Sequence, residues 1–284
     1  MIRRILVATD LSDRGDRAVR RAATLAEESS ADLMLLYVVE GSQPEQLVLA
    51  IERLATDELE AAAKAIETAH AVSCSAKVIR GDPFDAIGTM ARDYAASLLV
   101  MGTHRKDLLK DVFVGTTLER VVRMQVCPVL VANSDHTGRY GAVLAAIDFS
   151  DCSGHALERA AALGLLTRTP VTILHVPDPS DYFEVGIPVG DLDAHIATGS
   201  LKTSVALTQF VSELELPDVE YSVRVLPGEG PPADIIAQVA EEANVDLTVV
   251  GTHGKNRGMK VLLGSVSDGL LRRLSMDVLV VPCP

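Results

Sequence analysis

No stretch of the 284-residue sequence carries the roughly 18 or more uninterrupted apolar residues of a membrane-spanning helix, so no such span is expected. The opening residues, MIRRILVATD, lack the long apolar core and small-residue cleavage site of a secretory signal, and a cytoplasmic location is expected. Cysteine is scarce. Cys74, Cys127, Cys152 and Cys283 lie far apart, with no C-x-x-C and no histidine nearby at metal-ligand spacing. They are expected to be small buried or edge thiols in a reducing compartment, and no metal site is expected. Cations are outnumbered, 26 Lys and Arg against 39 Asp and Glu, for a formal net charge of -13. That balance argues against a surface that tracks nucleic-acid phosphates. A small anion is still admissible, because a helix N-terminus and a few local cations can hold phosphate. Two familiar nucleotide signatures are also missing: there is no G-x-x-x-x-G-K-[S/T], and the exit of a first strand reads AIDFSDCSG rather than G-x-G-x-x-G.

What the chain does contain is itself, twice. RRILVATDLSD at 3–13 recurs as GAVLAAIDFSD at 141–151, and the helical patterns RAVRRAATLAEES and GHALERAAALGLL follow. Second apolar runs come next, DLMLLYVVE at 32–40 and PVTILHVPD at 170–178. GDPFDAIGTMARDYAASLLVMGTH at 81–104 then matches GPPADIIAQVAEEANVDLTVVGTH at 230–253, and the halves close alike on CPVLVAN and MDVLVVP. Their middles differ: the first is a long helical pattern, the second opens on the insert DPSDYFEVGIPVGDLDAH, expected to cap or flank a domain face. The polar stretch NSDHTGRYG at 133–141 is the joint, giving expected domains at 1–135 and 140–284. Short β-branched strands alternating with helices imply right-handed βαβ units and an open parallel sheet covered on both faces.

In such sheets ligands sit beyond the C-terminal strand ends, where strand order reverses. In the second half this singles out Asp148, Val176 and the loop opening at Gly251. Asp148 has two readings, a hydrogen-bond acceptor for a ligand or a helix cap, since Asp-x-Ser is a common capping sequence. The loop also has two. Gly251 and Gly254 would let a ligand approach the backbone, Lys255, Arg257 and Lys260 supply positive charge, and Gly264 and Ser265 open a helix whose free N–H groups make an anion site. Alternatively it is a turn with glycines at positive φ and Ser265 as the N-cap. His104 and His253, which precede the variable position of each loop, read as histidines near phosphate.

The spacing Gly251-x2-Gly254-x9-Gly264-Ser265, behind a strand ending in Asp148, resembles the ATP-binding signature of the universal stress protein family, and the resemblance covers nearly the whole chain, twice. It implies two tandem, five-stranded parallel α/β domains of the Rossmann-like, adenine-nucleotide alpha-hydrolase-like type, packed as a pseudo-dimer through their last strands, with a homodimer open. It implies a stress-response regulator that binds ATP, with Mg2+ as companion ion, and an unidentified protein partner. Asp148 and the Val176 backbone would contact the adenosine, Val250 and Gly251 the ribose side, and Gly254, Gly264, Ser265 and Val266 the phosphates. The first half matches at Asp10, Val38, Gly102, Gly115 and Thr116, but Arg105 replaces the second glycine, so weak or absent binding is expected there. No catalytic residue is expected. The signatures of related ATP-cleaving families, an SGG-x-D-S loop or HIGH, are absent, which leaves slow hydrolysis or a ligand-free scaffold as the alternatives.

Overall fold

The computed structural model describes residues 1–103, 117–136, 138–177, 192–227, 230–254 and 263–284, the side chains of 192–200 excepted. Two compact units span Met1–Arg139 and Tyr140–Pro284. In the first, β1 (Arg4–Ala8), α1 (Asp13–Ser29), β2 (Asp32–Val39), α2 (Glu45–His70), β3 (Cys74–Arg80), α3 (Pro83–Asp93), β4 (Leu98–Gly102), α4 (Thr117–Arg123) and β5 (Val129–Ala132) follow one another. In the second the order is β6 (Val143–Ala146), α5 (Asp151–Ala162), β7 (Val171–His175), α6 (Leu192–Ser212), β8 (Tyr221–Val225), α7 (Pro232–Glu242), β9 (Leu247–Gly251), α8 (Ser265–Arg273) and β10 (Asp277–Val281). The strand orders are β3-β2-β1-β4-β5 and β8-β7-β6-β9-β10, every pair within each unit parallel.

The central strands explain this arrangement. Ile5, Leu6, Val7, Leu98, Leu99 and Val100 are all buried, as are Leu144, Leu247, Val249 and Leu279, because helices cover both faces and leave no polar side. Each fully buried Leu, Ile or Val contributes about 1.5–3 kcal/mol relative to an exposed one. The chain runs outward from β1 to β2 and β3, then crosses back to β4. The reversal falls between β1 and β4, and equally between β6 and β9, which places a crevice at the strand exits of each unit. Of the insert at 178–195, residues 178–191 lie outside the described residues, and the remainder begins α6.

Helix α1 shows how the joint is held. Its inward face carries Ala18, Ala22, Leu25 and Ala26, and also Arg21, only 2% exposed. The Arg21 guanidinium donates to the carbonyls of His136 and of Gly138, the latter at 2.8 Å, while Arg17 and Arg20 pair with Asp135 at 3.3 and 3.1 Å. On the other side of the joint, Asp246 accepts from the Gly141 and Ala142 amides, and the Tyr140 hydroxyl donates to buried Asp277 at 2.9 Å. Arg21→Ala removes the donors from these two part-buried carbonyls and empties a buried position on α1. It is expected to destabilise the first unit by about 1–3 kcal/mol and to speed proteolytic cutting within 133–139, measured by urea denaturation and limited proteolysis.

Candidate functional site

The site of the second unit begins two residues past β6. Phe149 takes φ 63°, a left-handed conformation that costs a non-glycine residue about 1 kcal/mol, and its counterpart Leu11 takes φ 57°. That turn folds Ser150 back so that its amide and hydroxyl donate to Asp148 Oδ1 at 3.1 and 2.6 Å. Ser150 then caps α5 by accepting from the Ser153 amide at 3.2 Å. The cap is therefore a serine, while Asp148 forms the turn with one carboxylate oxygen. Its other oxygen, Oδ2, faces Gly254: a Cβ placed on Gly254 would lie 2.4 Å from it. Ser12 repeats the arrangement on Asp10 Oδ1 in the first unit, its amide at 3.1 Å.

The glycines have different duties. Among the described residues the glycines with positive φ are Gly81 and Gly164, so at Gly251, Gly254 and Gly264 the alternative reading, a turn with glycines at positive φ, does not hold. Gly251 is small because α5 packs against the exit of β9. A Cβ there would meet the Cys152 sulfur at 2.9 Å and its carbonyl oxygen at 3.1 Å. Gly102 stands in the same relation to the Arg14 carbonyl, at 2.5 Å. Gly254, by contrast, faces the Asp148 carboxylate, and Gly264 closes the loop, its amide donating to the Thr252 carbonyl at 2.8 Å. Gly264 is also the N-cap of α8, so Ser265 is the first helical residue rather than the cap.

These pieces enclose a cavity of about 480 Å3 at the strand exits. Asp148, Val176, Val250, Gly251, Gly254, Gly264, Ser265 and Val266 all line it. Val176 lies just beyond the last paired residue of β7, His175, and the α8 N-terminus supplies part of the wall through Gly264, Ser265 and Val266. The candidate cations Lys255, Arg257 and Lys260 fall outside the described residues. His253 lines the cavity too, its Nδ1 3.1 Å from Thr252 Oγ1.

Other lining residues escaped the sequence reading. His175 holds the Ile147 carbonyl through Nδ1 at 2.7 Å and meets the Phe149 ring edge-on. Pro232 and Ile236 present one face of α7, and Ser267 donates to the Gly251 carbonyl at 2.6 Å. The four-residue spacing of Pro232 and Ile236, directly after two strand-breaking residues, was the available signal.

The first unit has a corresponding cavity of about 360 Å3, lined by Asp10, Val38 and Gly102, with Tyr37 where the second has His175. Burial, then the charges of Asp10 and Glu40, push the Tyr37 hydroxyl above the ordinary phenol range, which keeps it a neutral donor. His104, Arg105, Gly115 and Thr116 lie outside the described residues.

The cysteines require a correction. Cys74 and Cys127 are buried thiols outside any disulfide, as expected, the Cys74 thiol pushed up to about 12, mainly by desolvation. Cys152 and Cys283, however, form a disulfide across 131 residues of sequence, their Cα atoms 4.6 Å apart. Spacing along the chain gave no sign of this pair, because only the folding of β10 beside β9 carries Cys283 to the first turn of α5.

Comparison with known proteins agrees with this fold. The sequence model of the Universal stress protein family matches twice, over residues 1–133 and 139–282. A universal stress protein of Methanocaldococcus jannaschii is 29% identical over 153 residues, covering 50% of this chain and 94% of that protein. One from Mycolicibacterium smegmatis is 26% identical over 300 residues, covering 98% of this chain and 96% of its own. The crystal structure of a universal stress protein from Archaeoglobus fulgidus superposes with a TM-score of 0.71 at 22% identity, covering 99% of this chain and 98% of that one, a likeness of fold. With both halves matched along nearly their whole length, the chain belongs to the universal stress protein family, as two tandem domains.

Proposed function

We propose that the second domain holds ATP and that the chain acts as a nucleotide-binding regulator of the stress response. The observation that carries this reading is the convergence of eight residues, drawn from three strand exits and one helix N-terminus, on a single cavity. In it, Asp148 Oδ2 would accept from ribose hydroxyls while Oδ1 stays engaged with Ser150. The backbone at Val176 would flank the adenine, and Val250 and Gly251 would border the ribose. The Gly254, Gly264, Ser265 and Val266 backbone would hold the phosphates at the positive end of the α8 dipole. Mg2+ would enter with the nucleotide as its counterion, and the nucleotide is held as a ligand rather than turned over.

The proposal extends to a cytoplasmic location, to pairing of the halves as a pseudo-dimer, and to a protein partner that reads the nucleotide state. Calorimetry on ligand-stripped protein is expected to give one ATP per chain. Asp148→Ala should weaken binding about 10- to 100-fold, since hydrogen bonds to a charged group contribute about 1.5–3 kcal/mol. Two nucleotides per chain would overturn the asymmetry between domains, and none would overturn the reading.

A further inference from the structure

We infer that Cys152 and Cys283 form a thiol–disulfide switch, opened and closed by a low-molecular-weight thiol–disulfide couple, that sets the grip of the second cavity on its ligand. The position of the bond is the first ground. Cys152 lies in the first turn of α5, four residues after Asp148, and Cys283 lies two residues past β10. Thr252, buried between β9 and the loop, has its hydroxyl oxygen 3.9 Å from one sulfur and 3.5 Å from the other. The next residue, His253, brings Nδ1 within 3.7 Å of Cys283 Sγ and itself lines the cavity. The bond therefore sits directly behind the wall formed by Gly251 to Gly254.

Tightness is the second ground. Bonded sulfurs are about 2 Å apart, whereas two thiols in contact need roughly 3.5 Å or more, so opening the bond must move one of them by well over 1 Å. Gly251 leaves no slack, since even a methyl group there would press on Cys152 at 2.9 Å. With Cys152 held against Gly251, the half-buried Cys283 is the sulfur that moves, its contacts to Thr252 and His253 change with it, and the wall loosens.

Access is the third. Cys152 is 1% exposed, but Cys283 is only half-buried. A small thiolate attacks Cys283 Sγ, forming a mixed disulfide and releasing Cys152 as a thiolate at the α5 N-terminus, where the helix dipole favours it until it takes up a proton. A second thiol resolves the mixed disulfide. Two small thiols thereby become one small disulfide, and the protein gains two thiols. Closure is the reverse, with the small disulfide as the two-electron acceptor. The first domain has Arg14 and Ser134 at the corresponding places, so the switch belongs to the half with the complete glycine pattern.

The effect on affinity rests on the ATP reading above; the opening and closing of the bond does not. Full-length protein is equilibrated with glutathione disulfide or with excess reduced glutathione, and the bond is followed by alkylation and peptide mass spectrometry. Calorimetry with ATP and amide exchange at 251–254 are recorded on both forms. Reduction is expected to open the bond in the folded protein, weaken ATP binding at least tenfold and speed exchange at 251–254 at least tenfold, with Cys283→Ser reproducing the reduced form in either buffer. A bond that never forms, one that resists excess glutathione, or an ATP affinity equal in the two forms overturns the switch. Where ATP binds neither form, the ATP reading fails and exchange decides: faster exchange on reduction supports the switch, and unchanged exchange overturns it.

Discussion

Gly254→Arg is expected to raise the dissociation constant of the second domain for ATP at least ~100-fold while leaving its unfolding midpoint nearly unchanged. A Cβ at this position falls 2.4 Å from Asp148 Oδ2, an overlap that the carboxylate relieves by swinging away. The fold tolerates that motion because the atom displaced is the end of a side chain, not backbone. Binding does not tolerate it: the acceptor leaves the cavity and a guanidinium takes up space at the phosphate side. A loss of about 2.7 kcal/mol corresponds to 100-fold; a lost hydrogen bond to a charged group accounts for about 1.5–3 kcal/mol of it, and the bulk of the guanidinium at the phosphate side adds to the loss. Calorimetry and a thermal melt on the same samples separate the two effects. An unaltered dissociation constant would place the ligand elsewhere. The reciprocal change, Arg105→Gly, should raise the affinity of the first domain if the arginine alone disables it.

The second large effect concerns stability. Cys283→Ser, or reductant added to the unchanged protein, is expected to lower the unfolding free energy of the second domain by about 2–5 kcal/mol, because the lost link closes a long loop in the unfolded chain. For a unit of 145 residues, Tyr140–Pro284, each kcal/mol shifts the midpoint by about 2–4 °C, so a drop of roughly 4–20 °C is expected. Differential scanning calorimetry should resolve this as a change in one of two transitions, with the transition of the first domain in place. Identical traces with and without reductant would mean that the bond contributes nothing to the fold.

Much of the structure was legible because it is written periodically. The doubled strand–helix order gave both parallel sheets, and the glycine spacing together with Asp148 located eight residues that line one cavity. Reasons for individual residues were less legible. Gly251 and Gly254 look alike in sequence, yet one makes room for the Cys152 backbone and the other faces a carboxylate. The left-handed turns fell to Leu11 and Phe149, where no propensity would place them, because the Ser–Asp hydrogen bonds hold the turn against its strain. Arg21 reads as one more cation on an amphipathic helix, and only the return of the chain at His136 and Gly138 reveals why it is buried. The disulfide depends on contacts 131 residues apart, beyond the reach of any local pattern.

That disulfide also changes what the chain is mechanically. With Cys283 fastened to Cys152, tension applied at the C-terminus passes across the sulfurs into α5, and the segment between them carries no load. β10 cannot be peeled from β9 from that end, and a pulled molecule loses about 450 Å of available contour length, at roughly 3.4 Å per residue. The part of the second domain from α5 to β10 is thus shielded from force under oxidising conditions and becomes extensible once the bond is reduced, while β6, which precedes Cys152, and the first domain carry the same pull in either state.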